Sequence, residues 1–250
     1  MREMELAAAP AAATRLASPE LAPMHVVRLG LIPYARGLEL QRAIARARIG
    51  GEIEHDVLIL LEHPPVVTLG RSAKAQNLTA SPALLAARGV ELFEAERGGD
   101  VTFHGPGQLV GYPIVNLRGH KQDLHWYLRQ VEAVLMDALA TIGIEAQRSE
   151  GRTGVWTHNR KIASIGVHAR DWVTWHGFAL NVSTDLSYFD LMVPCGLHGV
   201  TMTSVAKELG SAAPSLAEVA EAVTTSFGAA FALAGTPSAP EILRELVAAL

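Results

Sequence analysis

The chain has 250 residues, a net charge of −4 and a sequence pI near 6.2. That length allows one large domain or two small ones around a sizeable core, and the acidic balance argues against wholesale electrostatic binding to nucleic acid. No apolar run approaches the ~18 residues of a membrane span, and the single cysteine, Cys195, removes the disulfide-scaffold class and suits a reducing, cytoplasmic setting.

Residues 1–23 are rich in alanine and proline. Glu3 and Glu5 offset Arg2 and Pro10 interrupts the alanines, so the segment reads as a disordered extension rather than a secretory signal. Met24 opens the first structured segment and is a candidate start of translation. His25–Leu31 predicts a strand, and Leu38, Leu40, Ala43, Ile44 and Ala47 recur at helical spacing until Gly50-Gly51. Val57–Leu61 is an unbroken apolar run, as expected of a strand covered on both faces. Glu62-His63-Pro64-Pro65 breaks it, and Val66–Leu69 resumes as a strand. Ser81-Pro82 pairs a cap with a first-turn proline for a helix to about Arg88, and Val90–Phe93 reads as the next strand.

From Asp123, the series Leu124, Tyr127, Leu128, Val131, Leu135, Leu139 and Ile142 predicts a long amphipathic helix. Ile144–Gln147, Gly154–Thr157, Lys161–Ala169 and Val173–Val182 read as strands, with turns at His158-Asn159-Arg160 and Arg170-Asp171. Ser204–Leu209 is a short helix, and Ser215 with Glu218 forms a capping box for a helix to about Leu233. A Gly-Thr-Pro-Ser link leads to a helical segment from Pro240. Intermixed strands and helices with several antiparallel hairpins imply an α+β fold, with mixed and antiparallel sheets flanked by helices.

Three stretches carry candidate chemistry. Arg97–Ile114 packs five glycines and two prolines around His104, so its backbone permits close approach of a ligand; a plain hairpin with a buried histidine explains it equally well. Cys195 lies in a Pro-Cys-Gly loop where no helix or strand accounts for it, and a nucleophilic thiol needs a neighbouring histidine or lysine. Cys195 and His198 make half of a metal spacing, without a second Cys/His pair, so no metal is expected. Lys161 follows a hairpin turn and opens an apolar strand, which directs its ammonium either inward or, as for most lysines, to solvent. Ser164, Gly166, Gly177 and Ala179 put small residues in what should be central strands.

Taken in order, Glu62–Arg71, Arg97–Pro113, Lys161–Gly166, His176–Val182 and Pro194-Cys195-Gly196 resemble the lipoyl(octanoyl) transferases of lipoate synthesis. The likeness spans roughly Met24 to Leu209. Asp100 and Phe103 stand where Gln and Tyr are more usual in that family. The resemblance implies a fold shared with biotin and lipoate protein ligases. With no linker in mid-chain, the sequence reads as a single catalytic domain over 24–235 followed by a helical tail over 236–250. The resemblance further implies transfer of octanoyl from octanoyl-acyl carrier protein to Cys195, then to the lysine of lipoyl domains in 2-oxoacid dehydrogenase E2 subunits and glycine cleavage H protein. Lys161 would act on the thiol, as ammonium or as base. Arg97, Gly98, Gly99, Asp100, Val101, Thr102, Phe103, His104, Ser164, Ile165, Gly166, Gly177, Phe178 and Ala179 would bind substrate. Backbone N–H groups near Gly98-Gly99 and Cys195-Gly196 would hold the oxyanion, with His104 beside them. Arg71, Lys74, Arg152, Arg160 and Arg170 are candidates for docking an acidic carrier. Thioester exchange followed by amide formation runs downhill without a nucleotide, so no cofactor is expected; the chain has no Gly-x4-Gly-Lys-Ser/Thr loop. An ATP-dependent lipoate or biotin ligase and a non-catalytic carrier-binding module are the alternatives.

Overall fold

The computed structural model describes residues 21–197, 199–236 and 240–250, so most of the expected extension, His198 and part of the Gly-Thr-Pro-Ser link lie outside the described residues. The first strand, β1 (Ala22–Leu31), starts two residues ahead of Met24. Helix α1 (Tyr34–Gly50) begins a turn earlier than its apolar spacing suggests, because Tyr34 and Gly37 are buried along with Leu38 and Ile44. It ends where Gly51, at φ 83°, returns its N–H to the Ala47 carbonyl. Strands β2 (Asp56–Glu62) and β3 (Val66–Leu69) flank the Pro64-Pro65 break. Ser81 caps α2 (Pro82–Ala87) by accepting from the Leu84 N–H. Strands β4 (Glu91–Glu94), β5 (Val101–His104) and β6 (Gln108–Ile114) follow.

Helix α3 (Leu124–Thr141) starts at Asp123, whose carboxylate accepts the Trp126 N–H. At its other end Gly143 has φ 87°, and Ile144 donates its N–H back to Leu139 O at 2.9 Å. Ile144 is therefore the apolar plug of a helix end, only 4% exposed, and not the start of a strand. Strand β7 is Gln147–Ser149, in place of the expected Ile144–Gln147. Strands β8 (Arg152–Thr157), β9 (Arg160–Arg170) and β10 (Val173–Asn181) form an antiparallel meander. Its turns are His158-Asn159 and Asp171-Trp172, with positive φ at all four residues, the geometry that matches strand twist. The second turn falls one residue later than expected because Arg170 pairs with Val173. The remaining elements are α4 (Val205–Leu209), α5 (Leu216–Phe231), β11 (Leu233–Gly235) and α6 (Glu241–Ala248); both halves of the Ser215/Glu218 capping box form at the start of α5.

Eight strands make one mixed sheet in the order β11-β1-β2-β6-β10-β9-β8-β7, and three make a second, β4-β3-β5. Strand β2 shows why the large sheet is covered twice. Leu58 and Leu60 point into a core with α3 and α5, while Val57, Ile59 and Leu61 point into another with α1 and Leu243 of α6. Alternation places successive side chains on opposite faces, so a strand apolar at every position needs both layers. A third cluster joins Val67 of β3, Val101 and Phe103 of β5 and the segment Phe189–Met192. The two sheets meet where residues 97–100 cross β9: Gly98 donates to Val167 O at 2.8 Å, and a Cβ on Gly166 would stand 2.8 Å from Gly98 O. Only glycine permits that crossing.

Candidate active site

The site is a cavity of about 240 Å³ between the two sheets, walled by residues 97–104, β9, β10 and the loop that carries Cys195. Cys195 occupies a tight turn over Pro194–Gly196 with φ 55° and ψ 20°, the left-handed region that an L residue enters at a cost. A frame holds it there. Asn77 accepts the Val193 N–H on its carbonyl at 2.7 Å and donates Nδ2 to Asp100 Oδ2 at 2.6 Å. Asp100 Oδ2 and Asn77 Nδ2 would lie 2.5 and 2.9 Å from a Cβ on Gly196, so the turn rests directly on this pair.

Lys161 donates from Nζ to Cys195 Sγ at 3.1 Å, and Ser164 Oγ lies 3.8 Å from the same sulfur. The lysine is 1% exposed, against the usual fate of this residue type. Its backbone is clamped by Lys161 N to Thr201 O and Thr203 N to Lys161 O, both 2.9 Å, and Nζ stands 5.1 Å above the Trp156 ring. The aromatic face favours a cation there. A fixed lysine and a part-exposed thiol at hydrogen-bond distance are chemically able to act as a nucleophile with its own proton donor and acceptor.

Arg97 is buried and spends its donors on the protein. Nε and Nη2 reach Thr68 Oγ1 at 3.2 and 2.7 Å, Nη2 reaches Thr68 O at 2.6 Å, and Nη1 reaches Gly98 O and Asp100 O at 3.1 and 2.8 Å. It ties the glycine loop to β3 and is a positioning residue. A Cβ on Gly70 would collide with Gly99 O and come within 2.6 Å of Arg97 Nη1, which explains the glycine that ends β3.

The far end of the cavity is polar. His63 pairs Nδ1 with Ile32 O at 2.6 Å and Nε2 with Tyr112 Oη at 2.7 Å. Burial pushes its pKa down to about 4, so the ring is neutral; the carbonyl can only accept, and Nε2 therefore accepts from the tyrosine. His104, pushed by burial to about 3, meets Gln108 Oε1 through Nδ1 at 2.8 Å. Gln108 spends its amide donor on Phe103 O and Asn181 Oδ1, so Nδ1 of His104 is the N–H and Nε2 the bare nitrogen. Tyr34 stacks on His104 with ring centroids 6.0 Å apart. Burial raises the Tyr34 hydroxyl to about 12, and Tyr112 also lies well above its ordinary value.

Of the residues expected to bind substrate, Arg97, Gly98, Gly99, Asp100, Thr102, His104, Ser164, Ile165, Gly166, Gly177, Phe178 and Ala179 line the cavity with Lys161 and Cys195. Val101 and Phe103 do not. They alternate to the other face of β5 and pack in the third cluster, where Phe103 stacks on Tyr188 with centroids 4.6 Å apart. The hydrogen bonds narrow the expected oxyanion donors. Gly98 N–H is committed to Val167 O and Gly196 N–H to Val193 O at 2.9 Å, leaving Gly99 and Cys195 N–H uncommitted among the described residues. His104 lines the cavity from the end of β5, four residues on from Asp100. Tyr34, Tyr112, Gly151, Arg152, Thr153, His176 and Leu197 complete the lining; Tyr112 and His176 lie within the family-like stretches without being expected to bind substrate, and Tyr34, Gly151, Thr153 and Leu197 carry no sequence signal. Among the five docking candidates, Arg160 is committed to Glu208 at 2.7 Å and Arg170 lies 3.6 Å from Asp171; Arg71, Lys74 and Arg152 are exposed, and Arg152 stands at the cavity.

Residues 33–228 match the lipoyl protein ligase A/B catalytic domain. The chain belongs to this family. Among curated relatives, an octanoyltransferase from Koribacter versatilis is 51% identical over 83% of this chain and 84% of its own, and one from Myxococcus xanthus is 50% identical over 82% of this chain. The match spans 59% of the Myxococcus protein. A putative lipoate protein ligase from T. acidophilum, solved with bound lipoic acid, superposes with a TM-score of 0.74 at 17% identity, covering 91% of this chain and 94% of that one. The fold shared with lipoate ligases, expected from the motifs, is therefore present.

Proposed function

We propose that this protein performs octanoyl transfer in two steps, through a thioester on Cys195. It is an acyltransferase of protein lipoylation, like its octanoyltransferase relatives. The observation that carries the two-step reading is the 3.1 Å contact between Lys161 Nζ and Cys195 Sγ inside the cavity.

In the first step the Cys195 thiolate attacks the thioester carbonyl of octanoyl-acyl carrier protein. The tetrahedral oxyanion forms beside the free N–H groups of Gly99 and Cys195. The carrier's thiolate leaves with a proton from the Lys161 ammonium, and Lys161 is left neutral. In the second step a neutral lysine amine of a lipoyl domain attacks the acyl-enzyme. It passes one proton to Lys161 as the amide forms, and the Cys195 thiolate departs. Protons and charge then stand as at the start, with no nucleotide consumed. The acceptors are lipoyl domains of 2-oxoacid dehydrogenase E2 subunits and glycine cleavage H protein. The exposed Arg71, Lys74 and Arg152 suit an acidic carrier at the mouth. A free thiol in this role suits the reducing cytoplasm.

The test is intact mass spectrometry after mixing with octanoyl-acyl carrier protein. One octanoyl group should appear on the wild type, none on Cys195→Ala, and the adduct should vanish when a lipoyl domain is added. An active wild type with no adduct at any time would reject the covalent route.

A further inference from the structure

The cavity changes character along its length. At the sulfur end it offers Ser164, Gly166, Gly177 and Ala179, small residues that leave a slot along β9 and β10. At the other end stand Tyr34, His104, Tyr112 and His176. These are poor company for a hydrocarbon. Tyr34 Oη and His176 Nε2 find no hydrogen-bond partner among the described residues, and Glu96 Oε2, 3.8 Å from His176 Nε2, is beyond hydrogen-bond reach. Buried polar atoms of this kind take ordered water, and an alkyl chain offers them nothing.

Two walls bracket the distance between the ends. Along β9, Ser164 beside the sulfur and Val167, which pairs with His176, are three residues apart, about 10 Å. From Asp100, just ahead of β5 and under the cysteine turn, to His104 at the strand's end is four residues, roughly 13 Å. An extended eight-carbon chain, seven C–C bonds of ~1.5 Å in zigzag, spans about 9 Å. Resting on the thioester reading above, we infer that the polar cluster of Tyr34, His104, Tyr112 and His176 is the chain-length stop of this enzyme. An octanoyl group on Cys195 ends against it. Two further methylenes have to displace what solvates those groups, and two fewer leave apolar wall exposed.

The experiment is a ladder of acyl donors from four to twelve carbons on one carrier protein, with kcat/KM read as the mass of acylated lipoyl domain. In the wild type, efficiency should rise roughly fourfold per methylene up to eight carbons, the worth of one buried CH₂. It should then fall at least about tenfold at ten carbons. A rise that continues through twelve carbons overturns the inference without any variant. Tyr34→Phe removes an unpaired hydroxyl and Tyr34→Leu opens the end; each should raise the decanoyl-to-octanoyl ratio, the leucine by about tenfold or more. A ratio that stays within twofold of wild type in both variants also overturns it. Transfer is scored on the acceptor, so a missing Cys195 adduct counts against the thioester and leaves the ladder readable.

Discussion

Lowering the pH should destabilise this fold well before its carboxylates titrate. His63 and His104 are buried, bonded as neutral rings, and held by burial at about 4 and about 3, against an ordinary value of 6.5. The sign follows from linkage. A histidine depressed in the folded state is protonated first in the unfolded chain, so its contribution is complete above pH 6.5 and drains away as pH falls toward 4. In that window the unfolded chain carries two more protons than the native one, a slope of about 2.7 kcal/mol per pH unit. Between pH 7 and pH 5 the loss comes to about 3–4 kcal/mol, a large share of a typical 5–15 kcal/mol. His25, His168 and His176, also lowered by burial, act in the same direction. Urea unfolding followed by fluorescence at pH 7, 6 and 5 measures it. A free energy that changes by less than about 1 kcal/mol across the window would refute the assignment of neutral buried rings. His63→Gln, which retains one donor and one acceptor, should flatten the slope by about 1.4 kcal/mol per unit.

Lys161→Arg keeps the cation beside the sulfur but neither gives nor takes the proton, so octanoyl-enzyme should form more slowly, the carrier's thiolate leaving unprotonated, while transfer to the lipoyl domain slows by ~10²-fold or more, seen as an adduct that persists by mass. Gly70→Ala drives a methyl against Gly99 O and the Arg97 guanidinium, and thermal unfolding should show a loss of about 2–3 kcal/mol; no change in Tm would mean that the glycine loop does not bear on β3 as described.

Much of the architecture is legible in local pattern, because local pattern has local causes. Asp123, Ser81-Pro82 and the Ser215/Glu218 pair cap the helices they announce, and the apolar run of β2 is covered on both faces. Ile144 misleads because an apolar residue after a helix is as useful folded back on Leu139 as it is in a strand. Phe103 misleads because a glycine-rich motif marks a place in the chain and not a face of the strand: Thr102 and His104 face the cavity while their neighbours face away. Tyr34 reaches the site from α1, where nothing around it in the chain carries a motif, and Tyr112 from β6, inside the glycine-rich stretch but with no signal that marks its own side chain. Only the stacking of the two sheets brings them to His104.

The departure at position 100 also finds its reason in tertiary structure. Asp100 has three donors on its carboxylate: Asn77 Nδ2 at 2.6 Å, its neighbour's Val101 N–H at 2.7 Å and Lys74 N–H at 3.3 Å. A charged acceptor strengthens such bonds and orients each of them, and Asn77 passes the constraint to Val193 through its own carbonyl. The left-handed turn at Cys195 thus rests on a carboxylate whose oxygens are taken up by Asn77, Lys74 and Val101. A thiol loop on an exposed surface would relax out of a φ of 55°; one braced from below by Asn77 and Asp100 and met from the side by Lys161 keeps its sulfur aimed into the cavity. The strain in that turn is therefore offset by Asn77 and Asp100, and the segments that join the strands of the small sheet hold the Cys195 sulfur at the cavity.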